Sequence, residues 1–155
     1  MTETDSQAEA ANRVVARSTG VGKFQQSLRV AGHASIADEP EALGGLGAGP
    51  SPYDFLAAGL AACTSMTIHL YAERKQLVLP GYAVEVAHSR THATDCATCL
   101  TGGAPRIDRF DLRIVFDAPI DATTEAKVLD IAGKCPVHRT LTGTSQIVTT
   151  VASTA

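Results

Sequence analysis

The chain has 155 residues, enough for one domain with a core and too few for two. Hydrophobic residues make up 45% and charged residues 19%, the balance of a globular protein rather than a disordered chain. A net charge of −3, an aromatic fraction of 5% and no Trp exclude the basic surfaces and stacking platforms that bind nucleic acid or anionic membrane.

Residues 1–12 are polar, acidic and Ala-rich. They lack the basic start and apolar run of a secretory signal and read as a flexible tail before a single domain over 13–155. The longest apolar run, 55–63, is shorter than the ~20 residues a membrane-spanning helix needs. The expected compartment is the cytoplasm, where four cysteines are reduced, catalytic or metal-binding rather than a disulfide framework.

Residues 13–18 and 24–37 read as a strand pair joined at Thr19-Gly20-Val21-Gly22. After Asp38-Glu39-Pro40 comes a loop with Gly44, Gly45, Gly47 and Gly49, either a flexible connection or a close-packed loop at a site. Ser51-Pro52-Tyr53-Asp54 starts a helix: Ser51 caps free amides, Pro52 suits the first helical position and Asp54 complements the dipole. That helix is predicted to run to about Lys75, with Pro80 just beyond it. Its first half, 55–63, is apolar on every side and must be covered by protein on every side. In so short a chain the simplest cover is a second subunit. Its second half, with His69, Glu73, Arg74 and Lys75, is amphipathic and reaches solvent.

Tyr82, Val84 and Val86 alternate with Ala83, Glu85 and Ala87, while Phe110, Leu112, Ile114 and Phe116 alternate with Arg109, Asp111 and Arg113. Both patterns predict antiparallel sheet with one wet face. A second helix is predicted from Asp121 to Lys134, with Val128, Leu129, Ile131 and Ala132 as its buried stripe. Residues 146–151 are β-branched and read as a closing strand. The order β-β-α-β-β-α-β predicts an α+β fold with helices on one face of the sheet.

Cys63 lies in the apolar helix, and Cys135 ends the second helix immediately before Pro136. A buried Cys is often an inert core residue. Cys135, however, is placed to sit at the start of a following short helix, where free amides stabilise a thiolate, with Lys134, His138 and Arg139 around it. Two thiols on two core helices suit a cycle in which one is oxidised to a sulfenic acid and the other condenses with it as a disulfide.

Cys96 and Cys99 follow His88 and His92. These four residues are a candidate zinc site, although two histidines ~13 Å apart along one strand suit a single ion poorly. A redox couple is a second reading, without the helix that follows a thioredoxin-like pair. A solvent-side hairpin that happens to carry two cysteines is the third and the preferred one. His33 and His69 have no partner at motif spacing and read as structural. Nothing in the chain calls for a cofactor.

The stretch from Gly49-Pro50-Ser51-Pro52-Tyr53-Asp54 to Cys63, together with Cys135-Pro136-Val137-His138-Arg139-Thr140-Leu141, resembles the OsmC/Ohr family of osmotically inducible and organic hydroperoxide resistance proteins. The resemblance runs from about Arg13 and is closest to the OsmC-like branch. It implies an intertwined homodimer of antiparallel sheets wrapped around two central helices. It also implies thiol-dependent reduction of hydroperoxides, with Cys63 as the peroxidatic and Cys135 as the resolving cysteine. Tyr53 stands where better characterised members have a Glu, and Gly22 and Lys23 stand where they have an Arg. Asp54, Lys23 and Arg139 are the candidates to supply the missing support.

The expected activity is therefore peroxide reduction by Cys63, resolution by Cys135 and re-reduction by an external thiol, with a small hydroperoxide as substrate. Leu56, Leu60 and Met66 would favour organic hydroperoxides over hydrogen peroxide. Two rivals stand beside it: a non-catalytic thiol- or zinc-binding dimer using Cys96 and Cys99, and another thiol chemistry on the same scaffold, such as persulfide handling or acyl hydrolysis.

Overall fold

The computed structural model describes residues 13–92 and 106–152. It divides into two compact units, 1–56 and 57–155, a boundary that falls inside the long helix. In the first unit, β1 (Val14–Ser18), β2 (Gln26–Val30) and β3 (His33–Ala37) form an antiparallel sheet in that order. The stretch expected as one strand over 24–37 is two strands, turned back on themselves at Ala31 and Gly32 with φ of 47° and 88°. Such a turn usually announces itself with Asn-Gly or Asp-Gly, and Ala-Gly does not.

The glycine-rich loop is close-packed. Asp38, 2% exposed, accepts from the amides of Glu39 (2.9 Å), Leu46 (3.1 Å) and Ala48 (3.3 Å) and so clasps both ends of the loop. A side chain on Gly45 would strike the Glu39 carbonyl, and one on Gly49 the Ile36 carbonyl, so neither position tolerates a Cβ.

The long helix α1 (Pro52–Lys75) starts with a reciprocal cap: Ser51 N donates to Asp54 Oδ2 at 2.8 Å and Asp54 N donates to Ser51 Oγ at 3.3 Å. At 24 residues, and with a mean hydropathy of 1.4 in its most apolar window, it is long and apolar enough by composition to cross a membrane. It nevertheless buries a stripe, Ala57, Leu60, Thr64, Ile68 and Ala72, at helical spacing.

In the second unit, β4 (Tyr82–His92) and β5 (Arg106–Phe116) pair antiparallel from Tyr82↔Phe116 to His92↔Arg106. Phe110, Leu112, Ile114 and Phe116 are half-buried and Arg109, Asp111 and Arg113 exposed, the alternation their sequence predicts. Helix α2 (Ala122–Ala132) is capped by Asp121, which accepts from Thr124 N at 2.9 Å and Thr124 Oγ1 at 2.8 Å. Ile68, Val128 and Ala132 form the core, packed by Leu79, Tyr82, Ile114, Phe116 and Ile131. Each aliphatic side chain as large as Ile68 or Val128 contributes about 1.5–3 kcal/mol by leaving water. Leu129, expected in the stripe, is 61% exposed because it lies to one side of the Val128–Ala132 line.

After α2 comes a short helix, α3 (Pro136–Thr142), with Cys135 at its start as the sequence predicts. The closing strand expected over 146–151 does not form: residues 144–152 are neither helix nor strand, and Ile147, Val148 and Val151 are 88%, 76% and 95% exposed. A strand requires a ladder partner, and the described residues offer this one none.

Candidate active site

Both cysteines of interest lie in the second unit and both are free thiols. Cys63 stands on α1, which is tied to the sheet by the Tyr82 hydroxyl donating to the Ser65 carbonyl at 3.0 Å. Thr67 Oγ1 donates to the Cys63 carbonyl at 2.7 Å, as threonines inside helices commonly do. Cys135 caps α3 in an extended conformation, φ −55° and ψ 131°, with Pro136 at the first helical position. Its amide donates to the Ala132 carbonyl (3.2 Å) and its carbonyl accepts from Arg139 N (3.1 Å), so its backbone is held on both sides.

The two sulfurs are in hydrogen-bonding contact, with opposite consequences. Cys63 is raised above an ordinary thiol, first because its S–H donates to Cys135 and then by burial; the Val137 amide and Thr67 pull the other way. Burial pushes Cys135 up, but hydrogen bonds from Cys63 and from the His138 and Val137 amides outweigh it and leave Cys135 lowered. Access runs the other way. Cys63 is half-buried, whereas Cys135 has no exposed surface.

The cationic surround expected for Cys135 is largely engaged elsewhere. Lys134 Nζ pairs with Asp130 at 2.6 Å, and the His138 ring lies 3.0 Å from the Gly133 carbonyl. Arg139 is exposed and contributes its backbone amide to the turn on Cys135. Asp54 belongs to the cap of α1, and Lys23 to the exposed turn between β1 and β2; both lie in the first unit. The zinc candidates are not brought together by the described residues: Cys96 and Cys99 lie outside them, as does the His92 side chain. His88 Nε2 sits 2.9 Å from Asp108 Oδ1, holding that carboxyl below its usual range with help from Arg90. Among the described residues no group of three or more potential ligands could hold a metal.

Thr64 is the site residue that the sequence reading passed over. It is fully buried, and its hydroxyl makes no hydrogen bond of good geometry among the described residues. An unmet buried donor costs about 1–3 kcal/mol. The signal was present: a polar residue in the stripe between Leu60 and Ile68, beside Cys63.

Two free thiols, the accessible Cys63 on α1 and the buried Cys135 at the start of α3, thus lie side by side. The family model for OsmC-like protein matches residues 45–150. The chain belongs to the OsmC family. Solved structures of OsmC-fold proteins superpose over most of it. An OsmC-like protein of Mycoplasma pneumoniae is 24% identical with a TM-score of 0.64, over 85% of this chain and 87% of that one. A Psychrobacter arcticus protein named for osmotic stress induction and detoxification response is 25% identical with a TM-score of 0.63, over 82% and 85%. An organic hydroperoxide resistance protein OsmC of Legionella pneumophila is 18% identical with a TM-score of 0.61, over 84% and 90%. A comparison with curated proteins gives no match.

Proposed function

We propose that this OsmC-family chain is a thiol-dependent peroxidase that reduces organic hydroperoxides. The observation that carries this reading is the contact between the free Cys63 and Cys135 sulfurs, brought from α1 and the α2–α3 junction. Relatives named for organic hydroperoxide resistance support it. The accessible Cys63 sulfur attacks the peroxide: an S–O bond forms, the O–O bond breaks and the alcohol leaves, giving a sulfenic acid. Cys135 then displaces hydroxide from that sulfur to give a disulfide, which an external thiol reduces. Met66, one turn beyond Cys63 and 64% exposed, offers the apolar contact that favours an organic substrate; Leu60, at 3%, is core and offers none.

A second copy of the chain belongs to this reading. Met66 and Leu70 leave α1 with an apolar face 64% and 59% exposed in one copy. A cytoplasmic, reducing location fits thiols that must return to the free state.

The test is peroxide consumption with a dithiol reductant. Cys63→Ser abolishes turnover, and Cys135→Ser forms the sulfenic acid but overoxidises to sulfinic acid, seen by mass spectrometry. Full turnover in Cys63→Ser would end the proposal. Tyr53 in place of the family's Glu favours a second reading, persulfide or acyl chemistry at the same thiols; it predicts no consumption of cumene hydroperoxide by wild type.

A further inference from the structure

The two sheets treat their arginines differently. On β4 and β5 the guanidiniums are spent on carboxylates of the same sheet: Arg90 on Asp108 (3.2 Å), Arg109 on Asp111 (2.6 Å) and Arg113 on Glu85 (3.4 Å). On β1 and β2, Arg17 and Arg29 are exposed and meet no carboxylate among the described residues. Register explains why they stand together. Arg29 lies opposite Val15 on β1 and Ala34 on β3, and Ser27 lies opposite Arg17 and Ile36. Cross-strand partners share a face, so these six side chains stand on one side of the sheet, with the two arginines as diagonal neighbours rooted about 7–8 Å apart. An acid at any of the other four positions would quench the pair; valine, serine, alanine and isoleucine do not. Ser27 Oγ donates to the Arg17 carbonyl at 3.3 Å, so its proton is spent on the strand. Arg29 rests one arm on the Gly32 carbonyl at 3.4 Å, which steadies the side chain beside the hairpin turn and leaves its other donors open. Over this face lies a cavity of about 560 Å³ whose lining includes all six residues. Pockets that take small molecules have volumes of about 300–1,000 Å³.

We propose that this face of the first sheet is a binding site for a small organic carboxylate, whose head group bridges Arg17 and Arg29 while its apolar body lies on Val15, Ala34 and Ile36. Each part of the ligand follows from a part of the site. Two like charges side by side repel each other until an anion lies between them. The planar fork of a guanidinium matches a carboxylate through two parallel N–H donors, and two forks can grip its oxygens from either side. An inorganic anion would answer the charges and leave the apolar floor wet. A neutral apolar molecule would cover the floor and leave both forks unmet. A molecule that carries both parts uses the whole site. The site lies within the first unit and is independent of the thiol chemistry of the second.

The chain has no Trp, so naphthalene fluorescence can be followed without competing indole emission. The test is the fluorescence anisotropy of 2-naphthoate titrated with the full-length protein. Wild type saturates the signal, and 2-naphthamide, the same body without the charge, binds about tenfold more weakly or worse. Arg17→Gln and Arg29→Gln each weaken naphthoate binding about tenfold, with the circular dichroism spectrum unchanged. Arg109→Gln, which removes a guanidinium already tied to Asp111, leaves binding as it was. Equal affinity for naphthoate and naphthamide, unchanged binding in both glutamine variants on the first sheet, or an equal loss in Arg109→Gln overturns the proposal. So does a fall in sedimentation mass in Arg17→Gln or Arg29→Gln, which would make this face a contact between copies of the chain.

Discussion

Two buried threonines in the second unit meet opposite fates. Thr124, on α2, gives both its amide and its hydroxyl to the Asp121 carboxylate, and the helix start is closed. Thr64, on α1, is more deeply buried, yet its hydroxyl has no partner of good geometry among the described residues. Asp38 resembles Thr124: a buried group whose bonds are all made, and whose work is to hold a loop in shape. Folding alone accounts for such groups, because every desolvated donor or acceptor has found its mate. It does not account for Thr64, which leaves a buried hydroxyl unmet in the stripe between Leu60 and Ile68.

The widest gap between the two kinds of group comes from Asp38. Asp38→Ala strands three loop amides and lowers stability by on the order of 3 kcal/mol in urea denaturation. Asp38→Asn retains less than half of that loss if both carboxylate arms matter equally, and a full loss would show that charge rather than geometry holds the loop. Next in size, Thr124→Val costs about 1 kcal/mol, because the Asp121 carboxylate loses a donor. Smallest in stability is the same substitution at Thr64: Thr64→Val leaves the melting temperature unchanged or raises it, because it removes a buried hydroxyl that has no partner of good geometry among the described residues. A loss equal to that of Thr124→Val would erase the contrast. Acid sharpens the comparison further. Hydrogen bonds from Thr124 hold Asp121 below its usual carboxyl value. Its contribution is therefore full above the unfolded value of about 3.9 and is lost as pH falls through the lower folded value, so amide exchange at Thr124 accelerates in acid.

The elements that could be read from sequence are those whose signals are local. Alternation at Tyr82, Val84 and Val86 marks β4, and Ser51-Pro52 and Asp121 mark the starts of two helices before any contact is known. What could not be read depends on partners distant in the chain. Residues 146–151 have strand composition, but composition does not supply a ladder, and none forms among the described residues. The Ala31-Gly32 turn places a left-handed backbone on an alanine, which no turn preference announces. At the site, the two cysteines were legible by position and family pattern. The different surroundings of the two sulfurs were not, because they rest on burial and on where two backbone amides point.

The tether on Cys135 has a mechanical corollary. With its amide and carbonyl both tied and the stiff proline ring of Pro136 following, this residue is an anvil: it cannot swing out to meet a partner. Any bond made at its sulfur must therefore be reached by turning the Cys63 side chain about its own axis, with the helices standing still. A crystal of the reduced protein should then survive soaking with oxidant without cracking, its lattice blind to the change of redox state.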